Sequence, residues 1–334
     1  MRILIKGAGW YGCHLGLSLK DAGHEVTIEE FRSDIFLGAS GSNPARLHVG
    51  FHYPRSALTQ ESCIANEDAF IRAYGFLIEP IKNNIYAVAE HVSVLDFGAY
   101  KKCVSGTGTF EQVSPSLYGL RNVQGALKVV ENHIVIARAR QFFRGALEKE
   151  LVFNSKFHTD QQGYDWTIDC TFSQSLLSPK GIIDRYEPCM TLLIEMPTDT
   201  AITIMDGPLP SLYPWSEEFG LCSLTSALFT PLTKNCKTYA EAQAVLEGID
   251  KSQLIARARM MVRQMEYYYP AIDPYAAKID EHNILAAVRA MPANSDDARL
   301  CKILRTGEKH LSIVAGKIDA IFHAEKELKR MIGR

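Results

Sequence analysis

Three glycines near the start of the chain have the spacing of a phosphate-binding turn. Gly7, Gly9 and Gly12 closely follow an apolar run, Ile3–Ile5. Glycine at these positions permits a tight turn, a close approach of the backbone to a pyrophosphate, and close packing of a following helix on the strand. The free N–H groups and the positive dipole end of that helix attract phosphate. The spacing therefore predicts that this turn binds a dinucleotide.

The elements expected around the turn agree with that prediction. The pattern predicts a strand over Arg2–Lys6, a helix over Cys13–Ala22 and a second strand over Glu25–Glu30. An acid at the end of the second strand can accept hydrogen bonds from ribose hydroxyls; Glu30 has the usual position and Glu29 is the alternative. A glycine turn without a ligand is the competing interpretation, and the agreement of strand, glycines, helix and acid argues against it.

A second segment, residues 38–55, is rich in small and hydrogen-bonding side chains and contains His48, His52 and Tyr53. A surface loop does not need so many polar and aromatic residues close together. Either histidine can act as a base beside a bound substrate, and either can equally be a hydrogen-bonded structural residue. No carboxylate or cysteine has a suitable spacing to form a metal site with them, so no metal is expected.

The glycine motif, the second-strand acid and this small-residue segment together resemble the D-amino-acid oxidase superfamily, which includes glycine and sarcosine oxidases and L-2-hydroxyglutarate dehydrogenase. The stretch Asn43–Tyr53 is most similar to the hydroxyglutarate branch and departs from it at Pro44 and Arg46. The resemblance implies an α/β protein (α+β overall). It also implies a Rossmann-type FAD-binding domain and a discontinuous antiparallel β-sheet substrate domain, with FAD as the cofactor.

The same resemblance implies which residues contact FAD. They come from the glycine turn, the second-strand acid, the small-residue segment, a strand near the adenosine end, a strand that closes over FAD, and a late strand–glycine–helix unit. These residues are Gly7, Gly9, Trp10, Tyr11, Gly12, Glu30, Ser40, Ser42, Asn43, Arg46, His48, Val152, Thr171, Gly316, Lys317 and Ile318.

The resemblance also implies an arginine that binds the carboxylate of the substrate. A guanidinium suits this role because it gives two parallel charged hydrogen bonds. Arg289, in a predicted late strand, is the first candidate and Arg46 is the second; a surface salt bridge is the alternative role for Arg289. His48 and His52 are the candidates for a catalytic base.

The chain has 334 residues, a length typical of about two domains. Short apolar runs separated by prolines between residues 187 and 232 predict an antiparallel sheet. With the superfamily as a guide, we expect an FAD-binding domain from residues 1–80, 125–183 and 280–334. A substrate domain would comprise residues 81–124 and 184–279.

The bulk composition sets limits on partners and location. The formal net charge is −2 without a long basic or acidic block, so bulk charge gives no case for nucleic-acid or membrane binding. Eight scattered cysteines without a CxxC pair are typical of reduced thiols in the cytoplasm. No apolar run reaches the roughly 18 residues of a membrane span, and the N-terminus lacks the pattern of a signal peptide. We therefore expect a cytoplasmic protein with a small-molecule or carrier-linked substrate.

The resemblance favours oxidation of a C–N bond in an amino acid or related amine by hydride transfer to flavin N5. The amine could be free or attached to a sugar or nucleotide carrier. Oxidation of a 2-hydroxy acid is the nearest alternative. A redox-neutral flavoenzyme similar to a sugar mutase, an NAD-dependent dehydrogenase and a non-catalytic nucleotide-binding protein are the others, because a nucleotide fold alone does not decide between them.

Overall fold

The structure is a computed structural model, and it describes most of the chain. The described ranges are residues 1–156, 163–172, 174, 182–197, 199–216, 218, 220–273, 279–293 and 301–333. Within them, no helix is long and apolar enough to cross a membrane. The same ranges contain no group of three or more His, Cys, Asp or Glu side chains that could hold a metal ion.

A six-stranded sheet contains the glycine turn. Its strands lie in the order β16 (Lys302–Gly307), β17 (His310–Val314), β10 (Trp166–Asp169), β1 (Arg2–Lys6), β2 (Glu25–Glu29) and β9 (Leu151–Val152). All neighbours are parallel except β16 and β17. The helices of this half are α1 (Trp10–Asp21), α2 (Ala57–Tyr74), α4 (Ile136–Ala146) and α7 (Ile321–Met331).

An eight-stranded, mainly antiparallel sheet forms the second half. Its order is β15 (Ile284–Pro292), β11 (Ile183–Glu195), β14 (Leu221–Ser226), β13 (Pro210–Ser216), β12 (Thr200–Met205), β5 (Asn83–Ala89), β7 (Val123–Val129) and β6 (Phe110–Val113). The helices of this half are α3 (Phe97–Cys103), α5 (Tyr239–Gly248) and α6 (Lys251–Tyr268). A small sheet of β3 (Arg46–Leu47), β8 (Asn132–Ile134) and β4 (Ile78–Pro80) completes the described strands.

Alternation along the strands gives the large sheet two unlike faces, because successive side chains of a strand point to opposite sides. On one face, Ile85, Ile202, Leu212 and Leu224 are register partners across four strands, and they pack in one apolar cluster with residues of α6. The other face carries buried polar residues at the alternate positions: Asn84, Tyr86, Thr203, Ser211, Tyr213 and Ser223. Because buried polar side chains need hydrogen-bond partners, this second face can form a polar binding site.

Two of the predicted domain boundaries do not coincide with the sheets. The boundary between residues 124 and 125 would cut β7, which runs unbroken from Val123 to Val129. The assignment of residues 280–334 to the FAD-binding half is wrong for β15, which pairs antiparallel with β11 in the eight-stranded sheet. The composition of β15 carries no local signal of which sheet it joins. Val152, predicted to lie on a strand near the adenosine end of FAD, lies on β9, which pairs parallel with β2 in the six-stranded sheet.

Candidate active site

The glycine turn between β1 and α1 is tightly packed against neighbouring backbone. Gly7 has φ +94°, and a Cβ atom built there would lie 2.9 Å from the carbonyl oxygen of Cys170. A Cβ on Gly12 would lie 1.8 Å from the carbonyl oxygen of Gly7. Such distances exclude any side chain at these two positions, so the turn brings the start of α1 directly against the end of β1.

The N-terminus of α1 is capped by no side chain of its own. Gly9 is the N-cap residue, the first turn has no acidic residue, and a Cβ on Gly9 would lie 2.7 Å from Ser40 Oγ. Ser40 Oγ accepts the N–H of Trp10 at 3.1 Å. This glycine-lined helix start, with a serine hydroxyl beside it, fits the pyrophosphate of a dinucleotide such as FAD.

Glu30 lies at the end of β2 and is buried. One carboxylate oxygen accepts the N–H of Ala8 at 2.9 Å and the other accepts the N–H of Arg32 at 3.0 Å, so Glu30 fixes the glycine turn. The N–H of Glu30 in turn donates to the carbonyl of Val152 at 2.9 Å. The structure therefore brings Glu30 and Val152 together beside the turn, while contact with ribose stays a prediction.

Residues from the end of the chain contact the first turn of α1. The Tyr11 hydroxyl donates to the carbonyl of Lys317 at 2.7 Å and accepts the N–H of Gly316 at 3.3 Å. Ile318 follows at the start of a short 3-10 helix. Thr171 lies next to Gly7, and its hydroxyl donates to Asp169 at 2.6 Å. These predicted FAD contacts therefore gather around the glycine turn from three different segments.

The side chain of Trp10 does not face this site. It is 2% exposed, and its ring centroid lies 4.8 Å from that of Phe36 and 5.7 Å from that of Phe143. The Trp10 side chain therefore packs in the core while its backbone N–H lies at the helix start, and contact of Trp10 with FAD stays a prediction. Trp10, the first residue of the buried helix α1, joins the core because burial of its ring is strongly favourable.

The small-residue segment crosses from the glycine turn to the large sheet. The side chain of Asn43 closes the loop on itself, donating to the carbonyl of Ala39 at 2.7 Å and accepting the N–H of Ala45 at 2.8 Å. The carbonyl of Ser42 accepts the hydroxyl of Thr191, on β11, at 3.0 Å. The segment is thereby anchored to both halves of the molecule and positions the residues that follow it.

Arg46 extends from β3 to the polar face of the large sheet. Its guanidinium carbon lies 4.1 Å from the ring centroid of Tyr213, and Nη1 donates to the hydroxyl of Thr203 at 3.2 Å. Its Nε is buried and has no hydrogen-bond partner in the described part of the chain. A cation held by stacking and one hydroxyl retains donors for an anionic group.

His48 and His52 lie on the same face. Their rings stack with centroids 5.0 Å apart, and the ring of Tyr53 meets both at 5.5 Å and 5.2 Å. His48 Nδ1 is 3.4 Å from the hydroxyl oxygen of Tyr86 and 3.7 Å from Glu131 Oε1. The structure thus brings His48 together with Tyr86, on β5, and Glu131, between β7 and β8, neither of which the sequence singles out.

Glu131 is the hub of this buried polar network. It accepts the N–H of Val49 at 2.9 Å, the amide of Asn84 at 3.1 Å and the hydroxyl of Tyr86 at 2.8 Å. Burial raises the pKa of Glu131, and its three hydrogen-bond donors act in the opposite direction. The only sequence signal for Glu131 is a single acid between two apolar strands, which has no motif spacing and was missed.

Lys317 places a second cation beside the histidines. Its Nζ lies 5.0 Å from the ring centroid of Tyr53 and 3.2 Å from Asp319 Oδ2, and it also contacts Cys63. Burial opposes the charge, yet Tyr53, Asp319 and Cys63 together raise the pKa of Lys317 above its usual range. Lys317 therefore stays charged at neutral pH.

Arg289 is separated from the other predicted catalytic residues. It lies on the edge strand β15 and forms an ion pair with the buried Glu187, which also pairs with Arg185. Arg46 stacks on Tyr213 of β13. β15 lies three strand spacings away from β13, a distance of about 14 Å. The structure therefore groups Arg46 with His48 and gives Arg289 the ion-pair role.

Comparisons with known proteins bear on the family, the cofactor and the fold of this chain. No family model matches the chain. An FAD-dependent monooxygenase, FPY4 of Fusarium mangiferae, is 33% identical over 343 aligned residues that cover 98% of this chain and 90% of the relative. The FAD-dependent monooxygenase kojA of Aspergillus flavus is 26% identical, covering 99% of this chain and 86% of the relative.

The fold has counterparts among solved structures. L-α-glycerophosphate oxidase from Mycoplasma pneumoniae with FAD bound has a TM-score of 0.71 at 13% identity, with 100% of this chain and 94% of that chain covered. Glycine oxidase from Geobacillus kaustophilus has a TM-score of 0.66 at 12% identity, with 99% and 94% covered. Together with the glycine turn and Glu30, these similarities establish FAD as the cofactor. This chain belongs to one family with the FAD-dependent monooxygenase FPY4, and it shares the fold of glycine oxidase.

Proposed function

We propose that this FAD-dependent enzyme oxidises an alcohol group of a small anionic substrate. The observation that carries the proposal is the position of Arg46 and His48 on one buried sheet face. Arg46 donates to Thr203, His48 faces Tyr86, and Thr203 and Tyr86 are register partners on β12 and β5. A cation and an imidazole are thus held by side chains of two strands that lie about 4.8 Å apart.

Arg46 suits the binding of a carboxylate or phosphate group. No carboxylate in the described ranges lies within salt-bridge distance of its guanidinium, although the side chain is half-buried. A guanidinium offers two parallel charged hydrogen bonds to an anion, and its stacking on Tyr213 fixes the plane in which they point. Binding at this end would orient the reactive carbon of the substrate towards His48.

His48 favours an alcohol over an amine. A hydroxyl group loses its proton when its carbon is oxidised to a carbonyl, and a positioned histidine is the usual acceptor of such a proton. In this proposal the hydroxyl proton passes to His48, and the electron pair of the adjacent C–H bond leaves as hydride. Bound FAD supplies the acceptor for that hydride.

Oxidation of a C–N bond is the second candidate. It is the function that the superfamily resemblance favours, and glycine oxidase, iminodiacetate oxidase and L-amino acid deaminase are among the proteins that share the fold. An amine can react in its neutral form without a protein base, so this function does not require His48. The amine could be free or attached to a sugar or nucleotide carrier.

The test is anaerobic bleaching of the flavin absorbance in the purified holoenzyme. The panel contains three classes of compound. Anionic alcohols (2-hydroxy acids and phosphorylated polyols) are compared with the matching amino acids, and also with neutral alcohols that lack the anionic group. Bleaching by the anionic alcohols supports the proposal, and bleaching only by amino acids or amines overturns it in favour of the second candidate. Because the relatives are called monooxygenases, a parallel arm measures NADH and NADPH oxidation with incorporation of labelled dioxygen; incorporation into product would overturn simple dehydrogenation.

A further inference from the structure

A chain of three buried groups runs from the sheet to the ring of His48. Tyr86 Oη donates its only hydrogen to Glu131 Oε2 at 2.8 Å. His48 Nδ1 lies 3.4 Å from the same Tyr86 oxygen. Since the hydrogen of Tyr86 is already committed, the tyrosine oxygen can only accept from His48.

We infer that Tyr86 and Glu131 are positioning residues that hold His48 in the Nδ1–H tautomer. The Nδ1 proton of the ring then points to the tyrosine, and the lone pair lies on Nε2, on the opposite side of the ring. In a histidine, the hydrogen bond made by one ring nitrogen fixes which of the two nitrogens carries the proton. This inference rests on the proposed function for the role of Nε2, which would take the hydroxyl proton of the substrate.

Glu131 also stabilises the imidazolium that this proton transfer creates. Its Oε1 is 3.7 Å from His48 Nδ1, and its side chain is completely buried, so the attraction is little screened by water. The three donors to Glu131 come from β5 and from the residue after His48, and they fix the carboxylate whether or not substrate is present. The carboxylate therefore needs no rearrangement when the charge develops.

Several other titratable or charged groups lie near His48 and Glu131. The test must separate their effects from those of Tyr86 and Glu131. On its own segment His48 meets His52 and Tyr53, and the ammonium of Lys317 lies over Tyr53. On α2, Glu67 has its pKa raised to about 7, first by burial and then by the charge of Glu131. Variants that remove one hydroxyl or one charge without changing volume leave these neighbours in place.

The decisive measurement is the ¹⁵N chemical shift of the two ring nitrogens of His48 in the FAD-loaded protein, which distinguishes the tautomers without any substrate. The wild type is expected to show Nδ1 protonated and Nε2 unprotonated above the titration midpoint of the ring. Tyr86→Phe should give mixed tautomers, and Glu131→Gln should lower the midpoint. Tyr100→Phe is the matched control, because its buried hydroxyl donates to the carbonyl of Phe51 instead. An Nε2–H tautomer in the wild type, or unchanged nitrogen shifts in Tyr86→Phe, would overturn the inference.

Flavin reduction by the best substrate gives the second readout. Tyr86→Phe should slow it about tenfold, roughly the value of one hydrogen bond, with substrate affinity unchanged. Glu131→Gln should slow it further and move the midpoint of its pH profile downwards. If no compound bleaches the flavin while the tautomer is as expected, the proposed function fails and the positioning role stands. If a substrate is found and both variants keep the wild-type rate and pH profile, the positioning role fails.

Discussion

Arg46 stacks on Tyr213, with its guanidinium carbon 4.1 Å from the ring centroid. The two residues belong to different sheets, since Arg46 lies on β3 and Tyr213 on β13. Through this contact the guanidinium of Arg46 lies on the polar face of the eight-stranded sheet. It is the relationship on which the proposed binding of an anionic group depends.

Replacement of Arg46 by Met should weaken binding of the anionic substrate by about 10- to 100-fold, the range for a hydrogen bond to a charged group. The stem of the side chain can still cover Tyr213, so the fold should persist. Stopped-flow titration of flavin reduction gives the dissociation constant. Neutral analogues of the substrate should bind equally well to the wild type and to Arg46→Met; an equal loss for both would show that Arg46 only supports the fold.

Arg289→Met should behave differently, because Arg289 compensates the buried carboxylate of Glu187. Within the described ranges, removing it leaves that carboxylate paired with Arg185. We expect a loss of about 1–3 kcal/mol in the free energy of unfolding and little change in substrate affinity. Chemical denaturation and flavin reduction measure the two quantities. A selective loss of substrate affinity would restore the carboxylate-binding role implied by the superfamily.

His48→Ala should reduce the rate of flavin reduction by an alcohol about 100-fold, the lower range for loss of a positioned base. FAD content and thermal stability should be checked in the same preparation. His91→Ala is the matched control, because the side chain of His91 is 76% exposed and lies outside the site. Undiminished reduction by the alcohol in His48→Ala would remove the histidine from the mechanism and favour an amine substrate.

Gly12→Ala should abolish FAD binding and lower stability, because its Cβ would lie 1.8 Å from the carbonyl oxygen of Gly7. The ratio of flavin to protein absorbance and a thermal melt report the two effects. Gly145→Ala, in α4, is the control: a Cβ there meets nothing within 4 Å, and alanine favours helix. Full FAD loading in Gly12→Ala would contradict the packing of the turn.

Glu325 should contribute to stability in a pH-dependent way. Hydrogen bonding by His14, with help from Lys329 and Ser18, lowers the pKa of Glu325 well below its usual range despite partial burial. A lowered folded-state pKa stabilises the protein above the unfolded value, about 4.3, and this stabilisation is lost as the pH falls below it. Glu325→Gln should therefore cost about 1–2 kcal/mol at pH 7.

Denaturation curves of wild type and Glu325→Gln, measured from about pH 7 down to about pH 3, check this expectation. The difference between the two proteins should shrink as the pH falls. Glu327→Gln serves as the control, because among the described residues Glu327 pairs with the exposed Arg330 alone, on the helix surface. A constant difference across the range would mean that the effect of Glu325 is packing and not charge.

Local sequence was sufficient for the nucleotide-binding unit. The strand, the three glycines, the helix and Glu30 lie within one stretch of chain, and each is required by backbone geometry at the turn itself. Such constraints are read directly from residue type and spacing. The assignment to FAD came from the same stretch together with residues 38–55, through their resemblance to the superfamily.

Only the tertiary structure decided which side chains meet at the candidate active site. Glu131, which follows β7 of the large sheet, joins His48 from 83 residues away in the chain, because the segment after β3 lies against that sheet. Arg289 belongs to the substrate half because β15 pairs with β11, and the composition of a strand does not specify its partner strand. Contacts of this kind depend on which strands pair and in which register, and register is fixed by the burial of whole faces, not by local spacing.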